Sequence, residues 1–152
     1  MAPIEKPRPG RPAEAAEGQR SARALRAADL ADLLARMAGK ADGFGRWHRE
    51  TRDAHGHIGL PWFEYSEDAQ KLLAQIRNAG LLVAGFDWAA WSGRNSYLDD
   101  PNSIDTADRE DCRRLLTALI RGDRFNEGLL FNAFESGLLR RLVDRLAATV
   151  DD

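Results

Sequence analysis

The feature that most constrains this chain is an apolar stripe between residues 112 and 120. Cys112, Leu115, Leu116 and Leu119 recur at intervals of three and four, and Ile120 widens the row. An α-helix turns once every 3.6 residues, so this spacing places them on one face, which then needs another surface to cover it. Thr106, ahead of the run, reads as the N-cap, with Asp108, Glu110 and Asp111 placed where acid complements the helix dipole. Gly122 ends the run. The spacing predicts a helix over 107–121, about 22 Å long, as the central strut of the fold.

Three other segments repeat the pattern. Leu30, Leu33, Leu34 and Met37 predict a helix over 28–38, stopped by Gly39. Ser66 reads as an N-cap before Glu67 and Asp68 and opens a helix over 66–79. Ala69, Leu72, Leu73 and Ile76 share its apolar face, and Gly80 closes it. Leu138, Leu139, Leu142, Val143 and Leu146 predict a last helix over 138–148, with Arg140, Arg141 and Arg145 facing outward. Residues 123–136 form a shorter helical piece anchored by Phe125, Leu129, Leu130, Ala133 and Phe134. The fold class is therefore all-α, a compact multi-helix single domain whose leucine faces pack together.

Between these helices the chain is less regular. Residues 1–20 hold four prolines and two glycines among few large apolar groups, and are expected to be a disordered tail. Residues 21–59 read as an N-terminal helix and a glycine-rich loop, with Phe44 and Trp47 pinning the loop to the core, and 60–150 as the helical domain. Pro-Trp-Phe-Glu-Tyr at 61–65 has an extended character, and one short extended pair is expected between it and 81–85. The polar stretch from Gly93 to Asn102 reads as a loop, and Asp87 as the cap of a short turn through Trp91.

Charge and composition narrow the function classes. Twenty-two basic residues against 24 acidic ones give a net charge of −2, which does not favour nucleic acid. A weak binding face on Arg140, Arg141 and Arg145, assisted by Arg8, Arg11 and Arg20, ranks last. No apolar run reaches 18 residues, and Met1 to Gly10 lacks the apolar centre of a secretory signal, so the expected location is the cytoplasm, without membrane contact. The single cysteine, Cys112, rules out an intrachain disulfide and fits a reducing compartment. Its place on the apolar stripe makes it a buried small hydrophobe rather than a nucleophile. His48, His55 and His57 lie near Glu50 and Asp53, but a glycine-rich loop is a poor frame for zinc, so they read as surface histidines. No phosphate-binding GxxxxGK[ST], GxGxxG or acyl-transfer GxSxG motif occurs. Neither a metal nor another cofactor is expected, and the reading leans away from an enzyme.

Two places combine charge with aromatic residues. In Phe86-Asp87-Trp88, the plain reading is a cap with two core aromatics; the alternative is a platform on which a base or sugar stacks, with Asp87 taking a hydroxyl. From 121 to 137, Arg121, Asp123, Arg124, Glu127 and Glu135 alternate with Phe125, Leu129, Phe131 and Phe134. Charges among aromatics must find partners. Either they form an ion-pair network between helix ends, or Arg124 grips an anion while Glu127 or Glu135 accepts hydrogen bonds. The candidate ligand-binding residues are Asp87, Trp88, Arg124, Glu127 and Glu135, with no catalytic residue assigned.

Phe86-Asp87-Trp88, the run from Arg114 to Arg121, Asp123-Arg124-Phe125, Glu127-Gly128 and Phe134 to Gly137 together resemble a bacterial family catalogued as domain of unknown function 6508. The resemblance covers about residues 60–147. It implies no established activity. Similar domains sometimes follow an ADP-ribose-binding macrodomain, which implies a nucleotide-linked role; no macrodomain is present here. Asn126 departs from the family's usual small residue or cysteine, which puts any role of that side chain in doubt. The expected function is a non-catalytic interaction or accessory module, of the kind found in bacterial defence or stress or as a phage inhibitor. The alternative is a nucleotide-like or other small-ligand binder, or an enzyme, using the 121–137 corner. A protein and a nucleotide-like molecule are the expected partners.

Overall fold

A computed structural model describes residues 27–49 and 51–149. The disordered-tail expectation for 1–20 lies outside them. Six α-helices follow one another: α1 (27–38), α2 (Glu67–Asn78), α3 (Gly93–Asp99), α4 (Arg109–Gly122), α5 (Leu129–Glu135) and α6 (Leu138–Ala148). A 3-10 helix covers Pro101–Thr106. The four strands are β1 (Gly45–His48), β2 (Thr51–Arg52), β3 (Ile58–Gly59) and β4 (Trp62–Tyr65).

The predicted stripe is the centre of the molecule. Cys112, Leu115, Leu116 and Leu119 are all buried, facing Leu139, Leu142 and Val143 of α6, Leu72 and Ile76 of α2, and Leu30, Leu34 and Met37 of α1. Each fully buried leucine contributes roughly 1.5–3 kcal/mol of transfer free energy. The helix start differs from the expectation: the N-cap of α4 is Asp108, whose carboxylate accepts from Asp111 N–H at 2.7 Å. Thr106 is used elsewhere, its hydroxyl donating to Ser103 C=O at the end of the 3-10 helix. Ser66 does cap α2, accepting from Ala69 N–H, and also donates to Gly43 C=O at 2.6 Å.

Residues 40–60 correct the loop expectation, because they form most of a β-hairpin. β1 pairs antiparallel with β4, Trp47 opposite Phe63, and β2 with β3 around a turn at 53–57. The Asp53 carboxylate holds that turn by accepting from His55 and His57 N–H. Between the two ladders falls Pro61, which has no N–H to offer. The extended pair expected between 61–65 and 81–85 is therefore a pair between 62–65 and 45–48. Residues 81–86 make no strand; Val83 N–H instead donates to Thr117 Oγ1, whose hydroxyl donates to Arg113 C=O. The hairpin base is tied down by rings: Phe44 stacks on Phe134 at 4.6 Å and Phe63 meets Phe131 at 4.7 Å.

The stretch expected to be loop from Gly93 folds as α3 and the 3-10 helix. Its polar sequence hides two tertiary anchors, the buried Ile104 and Tyr97, whose hydroxyl donates to the Asp111 carboxylate at 2.6 Å. The arginines of α6 are not a free solvated face. Arg145 donates to Ala107 C=O at 2.7 Å, Arg141 to Asn102 at 2.7 Å, and Arg140 to Asp144 and to Ala31 C=O. They bind α6 to the 3-10 helix and to α1. Among the described residues, no helix is long and apolar enough to cross a membrane.

Candidate functional site

The turn from Asp123 to Gly128 joins α4 to α5 and carries most of the charge of the corner. It closes tightly, with Phe125 and Asn126 N–H both donating to Gly122 C=O. Gly128 follows at φ +93°, a left-handed conformation in which a Cβ would stand 2.4 Å from the Trp47 ring. The turn thus packs under the hairpin, and glycine is the residue that lets it approach.

Its carboxylates serve the backbone. Asp123 accepts from Leu130 N–H, in the first turn of α5, at 3.1 Å. Burial pushes its pKa above the ordinary carboxylate value and outweighs the amide hydrogen bonds, which act the other way; the charge of Glu127 adds to the rise. Glu127 reaches across to the hairpin and accepts from Phe63 N–H at 2.8 Å. Asp87, as expected, caps its own turn by accepting from Ala90 N–H at 3.3 Å. Glu135 is exposed at the end of α5 and lines a cleft of about 430 Å³ with Lys40, Asp42 and Phe134.

The structure does not gather the five candidate residues in one cleft. Arg124 precedes Phe125 in the turn, and the Trp88 and Phe125 rings stack at 5.9 Å with planes 26° apart. Glu127 faces the hairpin, and Glu135 lies at the far end of α5. Of five well-formed clefts among the described residues, none is lined by more than one of them. Nor do the charges of 121–137 form an ion-pair network among the described residues, since the two engaged carboxylates take backbone amides. Phe125, expected as a helix anchor, is 82% exposed. Arg94, which sequence reasoning left in a polar loop, comes to this corner: its Nη1 lies 3.9 Å from where a Cβ would stand at Gly122. No local pattern marks it, because α3 has no apolar stripe.

Other chemistry-bearing groups are inert or dispersed. Cys112 is buried, and loss of solvation pushes its thiol up to about 11. His48 stacks on Trp62 at 4.1 Å and contacts Glu64 at 2.8 Å, while His57 contacts Asp53 at 2.9 Å. Among the described residues, no group of three or more His, Cys, Asp or Glu side chains is placed to hold a metal ion. A cleft of about 520 Å³ separates the end of α2 from the start of α4, but Arg113 in its wall is already bonded to Glu110 and to Gly80 and Leu82 C=O.

The large exposed hydrophobic side chains gather on the hairpin: Trp47, Ile58, Leu60 and Trp62, with Phe125 on the neighbouring turn. Leu60 is 82% exposed. One hairpin edge is closed and the other open. Because Phe63 N–H goes to Glu127, the Trp47–Phe63 pair is of the non-hydrogen-bonded kind, and Trp47 N–H and C=O point away from β4. They have no partner among the described residues.

The model of a family of unknown function, DUF6508, matches residues 22–152 and so reaches further toward the N-terminus than the resemblance at 60–147. No curated protein and no solved structure matches the chain.

Proposed function

We propose that this chain, which belongs to the DUF6508 family of unknown function, is a non-catalytic protein-interaction module that binds through its hairpin. The observation that carries this reading is the exposure of Trp47 and Trp62 on the β1–β4 ladder and of Ile58 and Leu60 further out along the same hairpin. Single exposed apolar residues are ordinary, but four on a short hairpin, Trp47 and Trp62 on opposite faces of its ladder, leave apolar area on both sides that a partner gripping the hairpin would cover. The open edge of β1 supplies the mode. An extended segment of a partner protein adds as a third strand, paired to Trp47 N–H and C=O, while apolar side chains give further area. Glu127 blocks the same reaction at β4, so addition is one-sided.

The test is affinity capture with the tagged full chain and with an Ile58→Asp/Leu60→Asp variant, followed by amide hydrogen exchange on the complex. Ile58 and Leu60 are exposed, so the variant keeps its fold, which circular dichroism checks. The expected result is a protein held at least ten-fold more weakly by the variant, with slowed exchange at Trp47 in the wild-type complex. A partner that ignores both substitutions and leaves hairpin exchange unchanged would sink the reading.

A further inference from the structure

The corner where α3, α4 and the 123–128 turn meet has an uneven distribution of hydrogen-bonding partners. Its three carboxylates are engaged by the backbone: Asp87 by Ala90, Asp123 by Leu130, Glu127 by Phe63. Its three guanidinium groups are not. Arg94, Arg121 and Arg124 make no hydrogen bond or ion pair with any described residue. Unpaired surface arginines occur elsewhere, as at Arg77. Here Arg94 comes to the corner that holds a stacked aromatic pair, and Arg121 and Arg124 stand next in the chain to Gly122 and Phe125. Phe125 lies on Trp88, and Gly122 brings the corner together: a Cβ there would stand 3.5 Å from the Trp88 ring and 3.9 Å from Arg94 Nη1. Phe125 is 82% exposed, so most of the ring is open to a ligand.

We propose that this corner is a stacking platform for single-stranded nucleic acid, on which a base lies against Phe125 while Arg94, Arg121 and Arg124 hold the adjoining phosphates. The chemistry matches part for part. Every base has a π-face to stack, and a guanidinium offers planar donors suited to phosphate oxygens. The openness of the corner selects the strand over a free nucleotide. A small ligand needs a cleft that covers most of its surface, and the clefts described above are lined by neither Trp88 nor Phe125. A strand gains its affinity from successive contacts along an open surface. The net charge of −2 argues against nucleic acid for the chain as a whole. At this corner, however, the acids are turned to the backbone and the cations are left to solvent.

The test is fluorescence anisotropy with labelled oligo-dT and oligo-U of about twelve nucleotides, on the full chain at low salt. Binding should weaken with added salt at a slope of roughly −2 in log K against log salt, as expected for about three phosphate contacts at ~0.7 each. Phe125→Ala should weaken it about ten-fold, and Arg124→Ala should weaken it and lower the slope by somewhat under one. Both side chains are exposed, so unchanged melting curves would show the fold intact. No binding at low salt overturns the proposal. So does equal affinity for a duplex, which offers no open base, and so does saturation by ATP or pyrophosphate with no oligonucleotide binding. Ile58→Asp/Leu60→Asp should leave oligonucleotide affinity unchanged, which separates this site from the hairpin.

Discussion

Glu127 Oε1 accepts the N–H of Phe63 at 2.8 Å, across 64 residues of sequence. This one contact closes the outer edge of β4, holds the α4–α5 turn against the hairpin, and takes Glu127 out of the charged group it belongs to in sequence. Removing the carboxylate leaves a partly buried amide without its acceptor. Glu127→Ala is expected to cost about 1–2 kcal/mol, and Glu127→Gln much less because its amide oxygen still accepts. In a chain of this size that is a fall in melting temperature of roughly 2–8 °C for alanine, read by thermal circular dichroism.

Asp123 makes stability depend on pH in an unusual direction. Its folded pKa is raised, so the folded state binds the proton more readily than the unfolded chain does. The associated stability is therefore present below the ordinary Asp value of about 3.9 and is lost as pH rises through the folded pKa. Asp123→Asn keeps an oxygen for Leu130 N–H and removes the titration. It should melt no lower than wild type at neutral pH and lose this component of the acid-side pH dependence. Asp123→Ala should melt lower at every pH. Denaturation curves across pH 3–7 read both.

Cys112 should be chemically silent until the chain unfolds. It is buried on the α4 stripe, and burial holds its thiol up at about 11, leaving little thiolate at pH 8. A thiol reagent such as DTNB should label the native protein only at the rate of unfolding, and label one thiol at once in guanidinium. Rapid stoichiometric labelling of the folded chain would contradict the burial.

Gly128 and Gly137 both have positive φ, at +93° and +81°, and they should respond differently to alanine. At Gly137 a Cβ meets nothing within 4 Å, so Gly137→Ala carries only the left-handed backbone cost of about 1–2 kcal/mol. At Gly128 the same cost is joined by a collision with the Trp47 ring at 2.4 Å. Gly128→Ala should therefore be the more destabilising in urea titration and should shift the tryptophan fluorescence. Gly137→Ala should leave the emission unchanged.

The long helices were legible because each carries its own instructions. The predicted 138–148 coincides with α6, 66–79 exceeds α2 by one residue at each end, and 28–38 lies within α1 and ends with it. Their 3–4 spacing and polar or glycine ends act within a few residues of sequence. The hairpin was not legible: β1 lies among glycines, and its apolar alternation appears only once Phe63 is set opposite Trp47. Phe125 was misread for the same reason. Its spacing suits a helix, but the turn at Gly122 ends α4 before it and leaves the ring in solvent.

By itself the amino-acid order determined the helical class, the leucine stripe at the centre and the burial of Cys112, because hydrophobic periodicity is a local property that folding has only to satisfy. Tertiary structure alone decided where the charges of 121–137 went. Glu127 takes the backbone amide of Phe63 and Asp123 that of Leu130. An amide is present at nearly every residue and becomes a specific partner only when packing brings it within hydrogen-bond distance of a carboxylate, so no spacing of side chains could announce it.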